Sequence, residues 1–349
     1  MQTLRIQPVE QLDSASWFPF SDEPVLMGSW LFPRLRDPVF LFPEESPDRK
    51  WHLFANSWLG IQHFVSDSGI LWEPLNMVQV MGHSPFLLKE KGTYYLLYER
   101  HGLSVPFMER WNKISRKNRI ASSHIEMRSS NDLIVWSEPR LLIDSRDVPQ
   151  AADYLDKPLI SYPQMIATAN GYRLYFGASR VTLKDTRHHC SRYLCSAFSP
   201  SLTGPYVLDP PVPMMEPVPN DPWRSLGCGR FSVLQGANGF AAFQTGAYWD
   251  SQRKASATAI TLLFSDDGLD WKASEHPPIL VPATKGWASR YINACDIRYK
   301  ADEGCWYCYF SASGEHLFGL QRESIGLLIG KDPILRKPVE FEGGLFNPQ

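Results

Sequence analysis

The 349-residue sequence predicts an all-β chain folded as a five-bladed β-propeller. Three observations carry that expectation. A strand–turn–strand pattern recurs five times at intervals of roughly 50 to 80 residues, the spacing of a repeat architecture. Related tails of Ser, Asp, Asn and Gly, ending in an aromatic residue, follow the hairpins. A composition with 12 Trp and 28 Pro suits strands and loops rather than helices.

The first hairpin joins Arg36–Phe42 to Lys50–Ser57 across a turn rich in Glu, Ser, Pro and Asp. The second joins Ser84–Leu88 to Thr93–Glu99, and the third joins Tyr162–Ala167 to Tyr172–Gly177. A weaker fourth runs from Arg230–Leu234 to Gly239–Phe243, and a fifth from Asp296–Tyr299 to Cys305–Phe310. The tails are Ser66–Trp72, Ser129–Trp136 and Ser265–Trp271, with a degenerate version at Ser199–Tyr206. Ser, Asp, Asn and Gly make tight turns because they tolerate left-handed backbone or bond their own main chain. The aromatic is then expected to pack between neighbouring sheets. An antiparallel sandwich with Asp-Gly turns is the competing architecture. The fixed order of hairpin, strand and aromatic turn favours the propeller.

No single unit can bury its own faces, so residues 1–349 are expected to form one domain. Its blades span about 36–80, 81–143, 157–210, 223–282 and 287–341. Pro24–Met27 reads as an edge strand that helps close the ring. Pro38 is expected to hold Asp37 in an extended conformation. Phe107, Trp111 and Ile114 have the spacing of a short helical loop. Lys184–His189 reads as a polar loop with two solvated histidines. The six prolines from Pro210 to Pro222 read as a rigid linker or lid.

Net charge is −2, with acids and bases interspersed. That excludes the usual footprint for nucleic acid or an acidic membrane surface. The N-terminus lacks a basic start followed by an apolar run, and no apolar stretch is long enough to span a bilayer. The expectation is a soluble cytoplasmic protein. Of six cysteines, Cys305 and Cys308 have redox or zinc-knuckle spacing. They fall in an alternating strand, where residues three apart face opposite sides. Buried reduced thiols are therefore expected, and no metal site is assigned.

Propeller geometry places candidate site residues. Each innermost strand starts near the axis at one face, and the second strand returns to that face. The inner-strand starts are Asp37, Ser84, Tyr162, Arg230 and Asp296, preceded by Arg36, His83, Ser161, Gly229 and Cys295. The second strands end at Asn56, Glu99-Arg100, Ser179-Arg180, Thr245 and Ser311–Ser313. One concave mouth thus gathers carboxylates, arginines, a histidine and a tyrosine.

Arg36-Asp37-Pro38 opening a hairpin resembles the first blade of glycoside hydrolase family 43, whose five-bladed relatives include families 32, 62, 68 and 117. Ser84–Leu88 with Gly92–Tyr98 is similar to that family's second blade. The likeness covers about residues 30–341 in layout, with its sharp motifs in the first two blades. It implies action on arabinose-, xylose- or fructose-containing glycans, with Asp37 as base or nucleophile. It also allows a calcium ion in the axial channel, although no calcium loop is visible. The family's blade-three Asp is replaced by Tyr162-Pro163-Gln164, its blade-four Glu by Gly229-Arg230-Phe231, and its blade-five histidine by Cys295-Asp296.

Glycoside cleavage needs one carboxyl group as acid and another as base or nucleophile, roughly 5 to 9.5 Å apart. Asp296 and Glu99 are the candidate partners of Asp37, and His83 is a further candidate acid or ligand-binding group. Asp296 as a carboxylate bonded to backbone amides, or Glu99 paired with Arg100 or a neighbour, would be structural instead. Arg100, Arg180 and Arg230 suit a carboxylate or phosphate on the ligand, or else brace the ring by pairing with those acids. Tyr162, Trp249 and Trp287 would stack on sugar rings. The functional expectation is a glycoside hydrolase-like enzyme for a small sugar or glycan, neutral or anionic, acting through a noncanonical carboxylate site. Open beside it are a non-catalytic carbohydrate-binding propeller, a phosphorylase similar to family 130, and another chemistry on the reused fold.

Overall fold

The structure is a computed structural model that describes residues 6–28, 34–57, 60–77, 82–101, 123–152, 158–186, 188–314 and 322–331. The chain enters through β1 (Ser16–Pro19) and β2 (Leu26–Met27). The first blade is β3 (Arg36–Leu41), β4 (Trp51–Ser57), β5 (Gly60–Ser66) and β6 (Glu73–Met77). The second is β7 (Gly82–Glu90), β8 (Thr93–His101), β9 (Ser123–Ser130) and β10 (Arg140–Asp144). The third is β11 (Ile160–Thr168), β12 (Gly171–Thr182), β13 (His189–Ser199) and β14 (Val207–Leu208). The fourth is β15 (Phe231–Gln235), β16 (Phe240–Asp250), β17 (Ala255–Ser265) and β18 (Lys272–Ala273). The fifth contains β19 (Tyr291–Lys300), β20 (Cys305–Ser313) and β21 (Glu323–Lys331). No α-helix occurs among the described residues. The chain is a five-bladed β-propeller.

The ring is closed by the N-terminal segment. β1 runs antiparallel to β21, with Ser16 opposite Lys331 and Pro19 opposite Leu328. β2, the stretch read as an edge strand, pairs with the start of β21, Leu26 opposite Ile325. The last blade thus takes its outer strand from the beginning of the chain, which protects the β21 edge. The apolar core lies in the seams between blades. Val39 and Phe54 meet Leu87 and Leu96 between blades one and two, and Phe40 meets Tyr309 between one and five, ring centroids 4.6 Å apart.

The aromatic tails follow one rule, each docking on the preceding blade. Trp72 packs edge-on against Tyr309 of blade five, Trp136 against Phe54 of blade one, and Trp271 against Tyr175 of blade three. The turns are fixed by side chain-to-backbone bonds. Ser66 Oγ accepts from Gly69 N (2.9 Å), and Ser265 Oγ accepts from Gly268 N (2.9 Å). Both glycines have φ of +75°, the left-handed conformation that side chains resist.

The inner strands depart from the expected geometry in an instructive way. Asp37 is not extended: its φ is +51°. The ladder slips between Arg36 and Val39, so two residues of β3 face one of β4, which defines a bulge. Ser84 (φ +52°) and Tyr162 (φ +54°) repeat it, with slips at His83/Phe86 and Ser161/Gln164. Each precedes a proline, which lacks an N–H for the ladder. The bulge, rather than the proline's ordinary preference, decides the backbone here. In blade four the position is Gly229, φ +62°.

The fifth inner strand starts at Tyr291, five residues before the expected Asp296, and bulges between Ile292 and Ala294. The proline-rich segment is not a lid: Met214 N donates to Leu194 O of β13 (2.8 Å), and Met215 is buried in the seam of blades three and four. All six cysteines are free and buried. The helical loop expected around Phe107–Ile114 and the blade-five residues beyond 331 lie outside the described residues.

Candidate functional site

A pocket opens where the inner strands begin. Its walls are Arg36 and Asp37 from blade one, Tyr162, His188, His189 and Cys190 from blade three, Gly229, Arg230, Thr245 and Thr258 from blade four, and Ile292 and Asn293 from blade five. The bulges turn the first inner-strand side chains toward the axis. At Gly229 an added Cβ would lie 1.7 Å from Thr245 O, so only glycine lets the fourth blade approach this closely.

Asp37 is the most constrained member. It is buried, and Ser84 Oγ donates to its Oδ2 at 3.1 Å. The Asn56 amide nitrogen, in the orientation that satisfies its neighbours, donates to the same oxygen at 2.6 Å. Arg230 Nη1 lies 3.5 Å from Oδ1. Burial raises the carboxyl's pKa; Arg230, Arg36 and Ser84 oppose the shift, and the charge of Glu99 adds to it. The net direction is upward, so Asp37 holds its proton more tightly than an ordinary aspartate.

Glu99 is buried and does not itself line the pocket, but its charge acts on both Asp37 and Tyr162. Tyr162 is half-buried, and burial, then Asp37 and Glu99, push its pKa up; the phenol remains a neutral donor. Arg36 is held bidentately by the fully buried Glu323 of β21. Burial disfavours the Arg36 charge, but Glu323 and then Asp37 outweigh it and raise the pKa.

Of the residues expected at the mouth, Asp37, Tyr162 and Arg230 share the pocket, with Glu99 in electrostatic reach. His83 stands behind Asp37, its Nδ1 3.5 Å from the Asn56 amide. Arg180 lies beside His189, whose pKa is lowered by burial and then by Arg180 and Arg36. Arg100 is not part of the pocket. Alternation along β8 sends it to the face opposite Glu99, where it meets Glu126 Oε1 at 3.3 Å. Asp296 is also outside. Its Oδ2 accepts from Phe40 N (3.0 Å) and Arg298 Nε (3.1 Å), tying the inner strands of blades five and one together. It lies six residues into β19, too far along the strand to share the mouth. Trp287 stacks on Phe310 at 5.5 Å instead of lining the pocket, and Trp249 is exposed.

Sequence reasoning missed Glu323, the two loop histidines and Asn293. His188 is only partly exposed: it stacks on Tyr291 with centroids 4.1 Å apart. Burial and the charges of Arg36, His189 and Arg290 push its pKa down to about 3. Asp185 fastens the same loop to blade four through Ser256 N (2.6 Å) and Oγ (2.7 Å). The available signal was strand direction. If second strands end at the mouth, third strands begin there, and His189 and Glu323 open β13 and β21.

The axis does not suit the calcium ion that the family resemblance allows. Arg298 reaches Asp296, Glu45 and Leu87 O, and Arg230 reaches Asp37 and Pro85 O. Two buried guanidinium groups thus occupy the channel. Among the described residues no group of three or more His, Cys, Asp or Glu converges to hold a metal.

By sequence, the chain matches no family profile and no curated protein. By structure it is similar to a family 117 glycoside hydrolase from the marine bacterium Zobellia galactanivorans, with a TM-score of 0.59, 13% identity, and 96% of each chain covered. It is also similar to a thermostable family 43 glycoside hydrolase, with a TM-score of 0.55, 13% identity, and 90% of this chain and 95% of that one covered. An N-acetylgalactosamine deacetylase from F. plautii, in complex with blood group B trisaccharide, superposes with a TM-score of 0.58, 11% identity, and 90% and 95% covered. The fold is therefore the five-bladed propeller found in glycoside hydrolases of families 43 and 117. Its hosting of a deacetylase illustrates that fold alone does not fix the reaction.

Proposed function

We propose that the protein is a glycoside hydrolase-like enzyme that acts on a sugar or small glycan through an altered carboxylate site. The observation that carries this reading is the buried carboxyl group of Asp37 in the pocket wall, with the buried Glu99 acting on it electrostatically. Burial and, less strongly, the charge of Glu99 hold the proton of Asp37 against the pull of Arg230, Arg36 and Ser84. Glycoside cleavage needs both a proton for the leaving oxygen and a carboxylate for the anomeric carbon or the attacking water.

In this reading Asp37 is the carboxyl group that meets the substrate at the glycosidic bond. Glu99 is the second carboxyl group, acting on Asp37 from outside the lining. Ser84 and Asn56 orient Asp37, Tyr162 offers a hydroxyl donor, and Arg36 is fixed by Glu323. Asp296, bonded to Phe40 N and Arg298, has a structural role.

The test is a panel of furanosides, pyranosides and uronides, with and without inorganic phosphate, read by release of reducing sugar. Turnover without phosphate supports the proposal. Strict phosphate dependence would make the protein a phosphorylase. Binding without turnover would make it a carbohydrate-binding propeller.

A further inference from the structure

We infer that Arg230 and Asn293 form a subsite for an oxyanion carried by the ligand sugar, a uronate carboxylate or a sugar phosphate. This rests on the sugar-directed reading of the pocket and specifies the substrate class. Arg230 is only 2% exposed, yet its Nε and Nη1 have no hydrogen-bond acceptor. Nη2 reaches Pro85 O at 3.3 Å. Asp37 Oδ1, 3.5 Å from Nη1, neutralises charge without accepting a hydrogen bond. Buried donors without acceptors are uncommon and unfavourable. Both groups belong to the lining of one narrow pocket, with room for about one water-sized atom, so an acceptor oxygen reaching into it would complete them.

Asn293 supplies the other half. It sits on the bulge of β19, and neither its Oδ1 nor its Nδ2 has a partner. An amide offers a donor and an acceptor side by side. A sugar acid or sugar phosphate presents the complement, an oxyanion flanked by hydroxyl groups. Guanidinium is the side chain best matched to carboxylate and phosphate oxygens.

The charges around the site agree. Glu323 cancels Arg36, Tyr162 stays a neutral phenol, and His188 is held neutral. Glu99 is the opposing charge. Burial raises the pKa of Asp37, which weakens its hold on the Arg230 charge and favours a ligand anion as the better partner.

The experiment is calorimetric binding to the full-length protein and its variants. The probes are methyl α-D-galacturonoside, its uncharged methyl ester, galactose 6-phosphate, galactose and inorganic phosphate. Wild type is expected to bind one charged sugar at least roughly tenfold more tightly than its neutral counterpart, the scale of a charge-assisted hydrogen bond. Preference for the uronide assigns a carboxylate, and preference for the sugar phosphate assigns a phosphoryl group. Arg230→Gln should abolish the preference. Asn293→Ala, at a half-buried position, should weaken binding of the charged sugar and serves if Arg230→Gln does not fold. Asp37→Asn should keep or strengthen the preference while losing turnover, which separates failure of this subsite from failure of the hydrolase reading. Equal binding of charged and neutral sugars by wild type, tighter binding of free phosphate than of any sugar, or a preference that survives Arg230→Gln would overturn the inference.

Discussion

Arg230 of blade four places its Nη1 3.5 Å from Oδ1 of Asp37 in blade one, so this ion pair crosses the propeller axis instead of joining adjacent blades. Both residues are buried, at 2% and 4% exposure. Removing one partner of a buried pair strands the other charge and costs about 3–5 kcal/mol. Arg230→Gln should therefore be strongly destabilising. Asp37→Asn should cost less, because the raised pKa of Asp37 already favours an uncharged group. The double variant should be more stable than the sum of the single effects predicts. Urea denaturation of the four proteins measures the coupling, and strict additivity would show that the two residues do not interact.

Gly229 offers a sharper test of how the mouth is built. With φ of +62° and Thr245 O at 1.7 Å from any added Cβ, Gly229→Ala must push β15 away from β16. Gly286 also has positive φ, +90°, but nothing stands within 4 Å of an added Cβ. Gly286→Ala should lose about 1 kcal/mol or slightly more, from backbone strain alone. Gly229→Ala should lose several times that amount, measured as the difference in melting temperature.

The architecture was legible because its signals are local and repeated. Ser66–Gly69 and Ser265–Gly268 fold their own turns through Ser Oγ, and Trp72 and Trp271 mark the seams. The site was less legible because it depends on long-range geometry. Asp37, Tyr162 and Arg230 were found by counting inner-strand starts. The same count misplaced Asp296, because the fifth strand begins at Tyr291, where no Pro or Asp announces it. The positive φ of Asp37 ran against the proline rule, since a bulge is a property of two strands and the rule concerns one. The start of β21 marked Glu323 as a mouth residue, but its pairing with Arg36, 287 residues away, had no local signal.

Glu126 predicts a pH dependence separate from the site. Burial would raise its pKa, but His124, Tyr98 and Arg100 outweigh it and hold the carboxyl down at about 2. A depressed folded-state pKa contributes stability above the unfolded value of 4.5, and that contribution fades as pH falls through the folded value. The downward shift corresponds to at most about 3 kcal/mol at neutral pH, and solvent screening at the half-exposed Arg100 reduces it. Glu126→Gln should lower the melting temperature at pH 7, and the gap to wild type should close between about pH 5 and pH 2. A gap that does not change with pH would mean that the Glu126 charge is not what stabilises.

Glu323→Gln tests the clamp on Arg36. The substitution keeps the shape and one acceptor but removes the charge of a bidentate pair. A stability loss of about 1.5–3 kcal/mol is expected, the range for hydrogen bonds to charged groups. If Arg36 contacts the ligand, KM should rise more than kcat falls, because a loosened Arg36 weakens binding in ground and transition states alike. A fall in kcat alone would place Arg36 in the chemical step.

The most direct test of the proposed function is the turnover of Asp37→Asn beside wild type, on the best substrate from the glycoside panel, with melting temperatures measured on the same samples. Loss of a general base or acid costs roughly a hundred- to ten-thousand-fold, and loss of a nucleophile can cost more. A fall of that size, in a folded protein that still binds sugar, is expected. Undiminished turnover in a folded Asp37→Asn would contradict it and remove Asp37 from the mechanism.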